Sequence, residues 1–327
     1  MRFYLLLLIF HFSYCCFPQV GGVNTFSFLD LNTSPRIIAL GGYANVLDED
    51  INLGTYNPSL INSSMLNKVS ANFTNYYSDI FYGDFSYCFN AWGNNVISSI
   101  KYIDYGNFLM TDEFSNQIGN YSAGEYLLSL GSSKQLTSAV SIGLGTKLAY
   151  SSLYLYNSLS VLFDFGLNYS FANKDMIAGI IVKNLGYQLT PYYSDKRESL
   201  PLEISIGMSN KLAHVPIRWH FNIQHIERPV LIYETNNNAR SNLMSNLLRH
   251  IVFGTEFLIH RNLNFLFGYN NRLRSEMFVQ DRRALVGFSY GVIFKIKRFS
   301  LFYSRSLTHI SGGISTFGIV TNLKKID

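Results

Sequence analysis

From Val69 onward the chain alternates. Val140, Ile142, Leu144, Thr146, Leu148 and Tyr150 hold one set of positions, and Ser141, Gly143, Gly145, Lys147, Ala149 and Ser151 hold the other. Val161, Phe163, Phe165, Leu167, Tyr169 and Phe171 stand in the same way against Asp164, Gly166, Asn168 and Ser170. Between Ala284 and Ile296 the even positions are again large and apolar, with Gly287, Ser289, Gly291 and Lys295 opposite them. Successive side chains of a strand point to opposite faces, so each segment predicts a strand with one bulky apolar face and one small or polar face. These segments run to about ten residues or more, against ~5–6 for strands of globular domains. A bulky outer face and a small polar inner face suit lipid outside and a lumen inside. Tyr and Phe gather at the strand ends, where amphipathic rings favour a membrane interface.

Fourteen strands are predicted, near 69–77, 80–90, 95–104, 124–134, 138–151, 157–171, 175–184, 202–212, 215–226, 249–259, 262–272, 283–295, 298–306 and 314–324. An even number closes an antiparallel barrel, and the connections alternate in length as such a barrel requires. The outward loops are 105–123, 185–201, 227–248, 273–282 and 307–313, and Ser78-Asp79 is a short outward turn. The inward turns Ala172-Asn173-Lys174, Ala213-His214, His260-Arg261 and Lys297-Arg298 are short. The expected fold is all-β: a 14-stranded antiparallel transmembrane β-barrel over residues 69–327. A short helical and irregular segment, residues 20–68, would lie in the periplasm or plug the lumen.

That segment does not alternate. Ser34-Pro35 reads as a helix N-cap and first helical position, Arg36–Leu40 as a short helix, and Gly41-Gly42 as its stop. Asp48-Glu49-Asp50 and Asn57-Pro58 mark turns before Ser59–Met65. Ahead of it, Arg2, the apolar run Phe3–Phe12 and Ser13-Tyr14-Cys15 form an export signal peptide over residues 1–19. Lipidation at Cys15 or Cys16 is disfavoured because Phe12-Ser13-Tyr14 lacks the small residues that precede a lipidated Cys. Cleavage near Gln19 leaves Cys88 alone and excludes an intramolecular disulfide.

Composition narrows the class further. With 48% hydrophobic, 16% aromatic and 14% charged residues the chain is not a disordered one. Its mean hydropathy is only +0.09, and beyond residue 20 its longest apolar run is Ile37–Ala44, which excludes a polytopic helical membrane protein. The net charge of +5 is small and scattered, so nucleic acid is not implied.

The N-terminal segment also carries a resemblance. Phe26-Ser27-Phe28-Leu29, Ser34-Pro35-Arg36-Ile37-Ile38-Ala39-Leu40-Gly41-Gly42, Asp48-Glu49-Asp50 and Asn57-Pro58-Ser59-Leu60 follow one another in order. Together they resemble the N-terminal signature of the PorQ family of the type IX secretion system, outer-membrane barrels of Gram-negative Bacteroidetes with the FadL and PorV type of architecture. The end, Leu323–Asp327, departs from common outer-membrane proteins in lacking a terminal aromatic residue. The resemblance implies a non-enzymatic barrel subunit of the cell-surface attachment complex. It would anchor a PorZ-like surface protein near a PorU-like sortase and a PorV-like barrel, beside outer-membrane lipid and lipopolysaccharide. The alternative is a FadL-like transporter of hydrophobic compounds. The inner faces, mainly Gly, Ser, Asn and Asp with Leu162, Leu285 and Ile293 as exceptions, offer such a cargo little apolar lining.

No catalytic, metal or cofactor site is predicted. Ser98-Ser99-Ile100-Lys101 matches a Ser-x-x-Lys pattern, but Ser98 and Lys101 lie at odd separation and so on opposite strand faces, and the faint partner Ser194-Asp195-Lys196 has no Lys-Thr-Gly to complete it. His214, His220 and His225 cannot all share a face. The residues expected to meet a partner are on the outward loops: Tyr192, Tyr193, Arg197, Arg228, Tyr233, Arg240 and Arg274. Tyr and Arg supply much of the energy where proteins dock. The competing reading is that these loops are solvated or contact lipopolysaccharide phosphates, to which Arg is suited.

Overall fold

The computed structural model describes residues 24–46, 50–78, 80–171, 175–193, 196–231, 243–277, 285–309 and 312–324; the expected signal peptide lies outside them. Fourteen antiparallel strands form a closed barrel in which each pairs with its neighbours in sequence and the first meets the last. They are β1 (Lys68–Asn75), β2 (Phe81–Ala91), β3 (Asn94–Thr111), β4 (Gln117–Gln135), β5 (Val140–Leu153), β6 (Tyr156–Ser170) and β7 (Met176–Thr190), then β8 (Glu203–Lys211), β9 (Ile217–Ile223), β10 (Ile251–His260), β11 (Leu263–Asn270), β12 (Phe288–Ile296), β13 (Phe299–His309) and β14 (Gly312–Asn322). Closure runs from the pair Lys68 and Asn322 to the pair Asn75 and Ser315. The apolar alternates of the sequence point outward: Phe73, Phe85, Leu144, Phe165, Phe267 and Phe317 are all exposed on the barrel wall.

The inner face is not an open polar lumen. Residues 24–46 and 50–67 fold inside it as a plug of short elements, most of them started by a polar cap. The helix α1 (Pro35–Ala39) has Ser34 as its N-cap, whose side chain accepts from the Ile37 N–H. It ends at Gly41 and Gly42, with φ of 91° and 90°, a left-handed backbone that side chains other than glycine resist. The helix α2 (Ile51–Tyr56) is capped by Asp50, and the tight turn Pro58–Leu60 by Asn57.

Small residues on the inner strand faces make room for this plug. A side chain at Gly143 would strike the backbone of Ser59, and one at Gly268 the backbone of Leu40 and Gly41. A Cβ at Gly291 would stand 2.7 Å from that of Ala39. The hydrophobic core of the molecule is therefore the plug itself. Ile37, Leu40, Ile51, Leu53 and Met65 pack with Cys88, Ile97, Leu266 and Ile293 of the wall. Phe26 and Phe28 pack in a second cluster with Tyr82, Ile103, Leu127 and Leu162.

The barrel is lopsided, and here boundaries differ from the pattern-based ones. Strands β3 and β4 have 18 and 19 residues, whereas β1 has 8 and β9 has 7. At ~3.3 Å per residue, β3 is longer than β1 by about 33 Å. The expected loop 105–123 is instead mostly strand, with a turn at 112–116 closed by Asp112 accepting from the Phe114 and Asn116 N–H groups. The register slips between Asp104 and Asn107, with Gly106 at φ 84°, so the alternation changes phase where the reading by twos stopped. Strand β7 likewise runs to Thr190 through a slip opposite Phe163–Phe165, with Asn184 at φ 60°. The outward loops also hold two helices, α3 (Leu243–Arg249) and α4 (Asn271–Glu276), which pack on each other. Since β12 begins only at Phe288, Leu285 is exposed rather than facing the lumen, while Leu162 and Ile293 do point inward.

Candidate functional site

What the barrel could do is governed by how the plug is held. The α1 residue Arg36 meets the β10 residue Glu256 in a two-pronged pair, Nε to Oε1 at 2.6 Å and the second guanidinium nitrogen to Oε2 at 2.9 Å. Arg36 also lies 3.6 Å from Asp50, and Arg218 of β9 lies 3.7 Å from Glu256. The Glu256 side chain is fully buried. A planar fork on a carboxylate fixes orientation as well as distance, so this pair sets the rotation of α1 in the lumen.

A second network ties α2 to the wall. Lys183 of β7 bridges to Glu203 of β8 at 3.0 Å and stands over the Tyr56 ring at 4.0 Å. The Tyr43 hydroxyl lies 3.2 Å from His225 Nε2, and His225 Nδ1 lies 3.0 Å from Glu227. Desolvation inside the barrel raises the phenol pKa values of Tyr43 and Tyr56 above the ordinary value, so both rings stay neutral. Nearer the outer end, Lys101 donates to the carbonyls of Phe28 and Leu31 at 2.7 and 2.5 Å. Each buried charge thus has a partner on the plug or the wall beside it, as burial demands.

Among the described residues, cavities flank the plug, and three of them bear on what the barrel could do. One of about 80 Å³ lies between Asn52, Asp84, Lys101, Lys147 and Lys183. One of about 370 Å³ is lined by Ser59, Asn62, Asn95, Ser141 and Asn168. The third, about 480 Å³, opens at the end of the barrel where β1 starts and β14 stops. A largely apolar groove of about 540 Å³ lies on the lipid side of the wall, along Phe73, Phe294, Leu301, Phe317 and Ile319.

The residues expected on the outward loops do not form one cluster. Tyr192 turns inward, its ring 6.1 Å from that of Phe26. Tyr193 points outward and stacks on Tyr156 at 5.4 Å. Arg197 folds back over the Tyr187 ring and donates to the Gln188 carbonyl. Arg228 lies 3.6 Å from Glu227, and Arg274 sits on α4. Tyr233 and Arg240, with Ser194 and Asp195, lie outside the described residues. Ser98 and Lys101 are on opposite faces, Ser98 half-exposed and Lys101 in the lumen. His214 is in an exposed turn, whereas His220 and His225 are buried inside.

Pattern reading missed the most prominent outer feature. Residues 107–122 project as a two-stranded hairpin past the β5–β6 tip, carrying Leu109, Phe114 and Ile118 at 66%, 82% and 61% exposure. Phe108, Tyr121 and Tyr154 form a ring ladder along its base, at 5.1 and 4.8 Å. The Asp112-x-x-Ser115-Asn116 turn chemistry was the signal that could have revealed it.

No family model matches the chain, and neither does any curated protein. Solved structures do match in shape. The toluene transporter TodX of Pseudomonas putida aligns with a TM-score of 0.53 at 12% identity, over 88% of this chain and 95% of that one. By fold this is an outer-membrane barrel. The monoaromatic hydrocarbon channel CymD aligns at 0.51 and 10% identity, over 91% and 97%. A FadL homologue of Pseudomonas aeruginosa aligns at 0.46 and 9% identity, over 89% and 98%. At such identities the likeness is one of architecture.

Proposed function

We propose that the chain is a non-enzymatic anchor of the outer membrane, a barrel sealed by its own N-terminal segment that holds a surface partner on its projecting strands. One observation carries this reading: the apolar surface inside the barrel is taken up by the plug, and the internal cavities beside it are lined largely by Lys, Asn and Ser. A barrel filled in this way works at its ends. The outer end offers the 107–122 hairpin, an isolated pair of strands with bare apolar side chains, and such a pair is marginal in water without something packed on it. The resemblance to the PorQ family supplies the partner's character: a PorZ-like surface protein, held near a PorU-like sortase and a PorV-like barrel. Anchoring would act by raising the partner's effective concentration at the membrane.

A second reading has its own support, and the structural comparisons favour it over the first. TodX and CymD are a toluene transporter and a monoaromatic hydrocarbon channel. In a transporter of hydrophobic compounds, the site made by Tyr82, Ile103, Leu127 and Leu162, which Phe26 and Phe28 fill here, would receive the cargo. Gentle affinity isolation from native outer membranes separates the two. A large surface β-protein and a sortase should come down with the intact chain and be lost when residues 107–122 are replaced by a short turn. Recovery of the barrel alone, with an apolar compound bound, would sink the anchor and establish the transporter.

A further inference from the structure

The 480 Å³ cavity at the inner mouth has a charge pattern that neither reading uses. Both chain ends of the barrel and its short turns lie at this end, which in outer-membrane barrels is the periplasmic one. Arg36 and Asp50 of the plug line the cavity, so it is a blind vestibule, closed toward the membrane and open toward the periplasm. Around it stand Lys68, Lys211, Arg218, Arg261, Lys295 and Arg298. Among the described residues Asp50 is the one carboxylate of the lining, and it lies beside Arg36, while Glu256 on the inner face of β10 lies beside Arg36 and Arg218. That leaves Lys211, Arg261, Lys295 and Arg298 with no carboxylate within 4 Å among the described residues.

Strand parity shows where these charges are aimed. Lys295 alternates with the outward Phe294 and Ile296, and Lys211 continues the inward series Glu203, Ser205, Gly207 and Ser209. Cations meant for lipid headgroups would lie on the outer face, whereas these project into the vestibule from β8 and β12. Asn264, Ser300 and Asn322 stand between them as neutral hydrogen-bonding groups. Low-dielectric walls around like charges focus a field that draws in counter-ions. Forked guanidinium groups with ammonium groups suit phosphate oxygens, and the volume is that of a small-molecule site, ~300–1,000 Å³.

We infer that the vestibule is a binding site for a small, multiply charged phosphate-bearing anion that enters from the periplasm and is held by Lys211, Arg261, Lys295 and Arg298. This stands apart from the proposed function, since it concerns the opposite end of the barrel and the four cations all belong to the wall strands and their turns. The test is calorimetric titration of the full-length chain in neutral detergent with pyrophosphate as the probe. Saturable binding is expected at low salt, weakening as salt rises, because exposed cations are screened. The pair Lys211→Gln with Lys295→Gln should weaken it at least about tenfold, and Arg197→Gln at the far end should leave it unchanged. The turn pair Arg261→Gln with Arg298→Gln is a second variant that does not touch a strand, and it should weaken binding likewise. Nanodiscs distinguish the sources. If phosphatidylglycerol in place of phosphatidylcholine competes with pyrophosphate in the intact chain only, the natural phosphate is a lipid's; if it does not, the anion is soluble. No saturable binding, equal affinity in both paired variants, or binding of hexaglutamate without pyrophosphate would each overturn the site.

Discussion

Replacing Glu256 by Ala should unseat the plug. The carboxylate is fully buried and takes two short bonds from Arg36, whose side chain is only 10% exposed. Removing one member of a buried pair costs ~3–5 kcal/mol, chiefly because the other charge is left in a poor solvent. Two cations lose this carboxylate, since Arg218 also leans on Glu256, although Asp50 at 3.6 Å still compensates Arg36 in part. The penalty falls on the seated state alone, because Arg36 regains water once α1 leaves. Taking the lower figure, about 3 kcal/mol raises the unseated fraction by roughly two orders of magnitude, at ~1.4 kcal/mol per tenfold. Planar-bilayer recording reads this directly: rare or absent openings in the intact chain, frequent ones in Glu256→Ala. Adding Arg36→Met should recover part of the closure, because one of the two cations that lost the Glu256 carboxylate is then gone. The reasoning fails if Glu256→Ala, shown to be folded by its heat-modifiable mobility, conducts no more often than the parent.

Three further outcomes follow from the packing. Gly268→Val, which drives a side chain into the α1–loop backbone, should lower thermal stability by about 1–3 kcal/mol, while Gly119→Ala, with open space around it, should change it little; scanning calorimetry of both settles the matter. Cys88 is fully buried among plug and wall side chains, so a maleimide should label it only after heating, and rapid labelling of Cys88 in the folded barrel would contradict the packing. Phe114→Ser with Leu109→Ser should leave the unfolding midpoint unchanged yet lower recovery of a surface partner, because both side chains are bare in the isolated barrel. Loss of stability instead would mean the hairpin packs on the barrel itself.

The strands were legible because lipid imposes a chemistry on one side of each. Phe73, Leu144 and Phe317 must be apolar outside, and their neighbours cannot be, so a period of two survives along the whole wall. Each of the fourteen strands overlaps its expected segment, although β3, β4 and β7 run well past theirs and β12 starts later. The pattern gives way where the backbone changes phase: the Gly106 slip hid the 107–122 hairpin, and the Asn184 bulge hid the outer part of β7. The meaning of the inner face was the harder matter. Gly143, Gly166 and Gly268 read equally well as the lining of a wet pore and as clearance for a plug, because alternation says which face is small and not what lies against it. Pairings such as Arg36 with Glu256, 220 residues apart, leave no local trace at all.

The N-terminal signature has the same limit, for a physical reason. Ser34 and Asp50 cap helices, Arg36 forms the buried fork, Gly41 and Gly42 adopt the left-handed backbone, and Asn57 caps the turn into Pro58. These described signature residues are therefore accounted for by sealing the barrel. A chain sharing those residues shares a plug, and a chain sharing the barrel's shape shares a container for one; neither likeness reaches the surfaces where an anchor and a transporter differ. Those surfaces are the apolar hairpin at the outer end and the cationic vestibule at the inner end, built from residues such as Phe114 and Lys295 that the seal does not use. An anchor needs the first to be covered by protein while the plug stays seated. A transporter needs Phe26 and Phe28 to leave their site and leaves the bare hairpin without a purpose. The position of the plug under working conditions is thus the quantity on which function turns, and the Arg36–Glu256 pair is the place to perturb it.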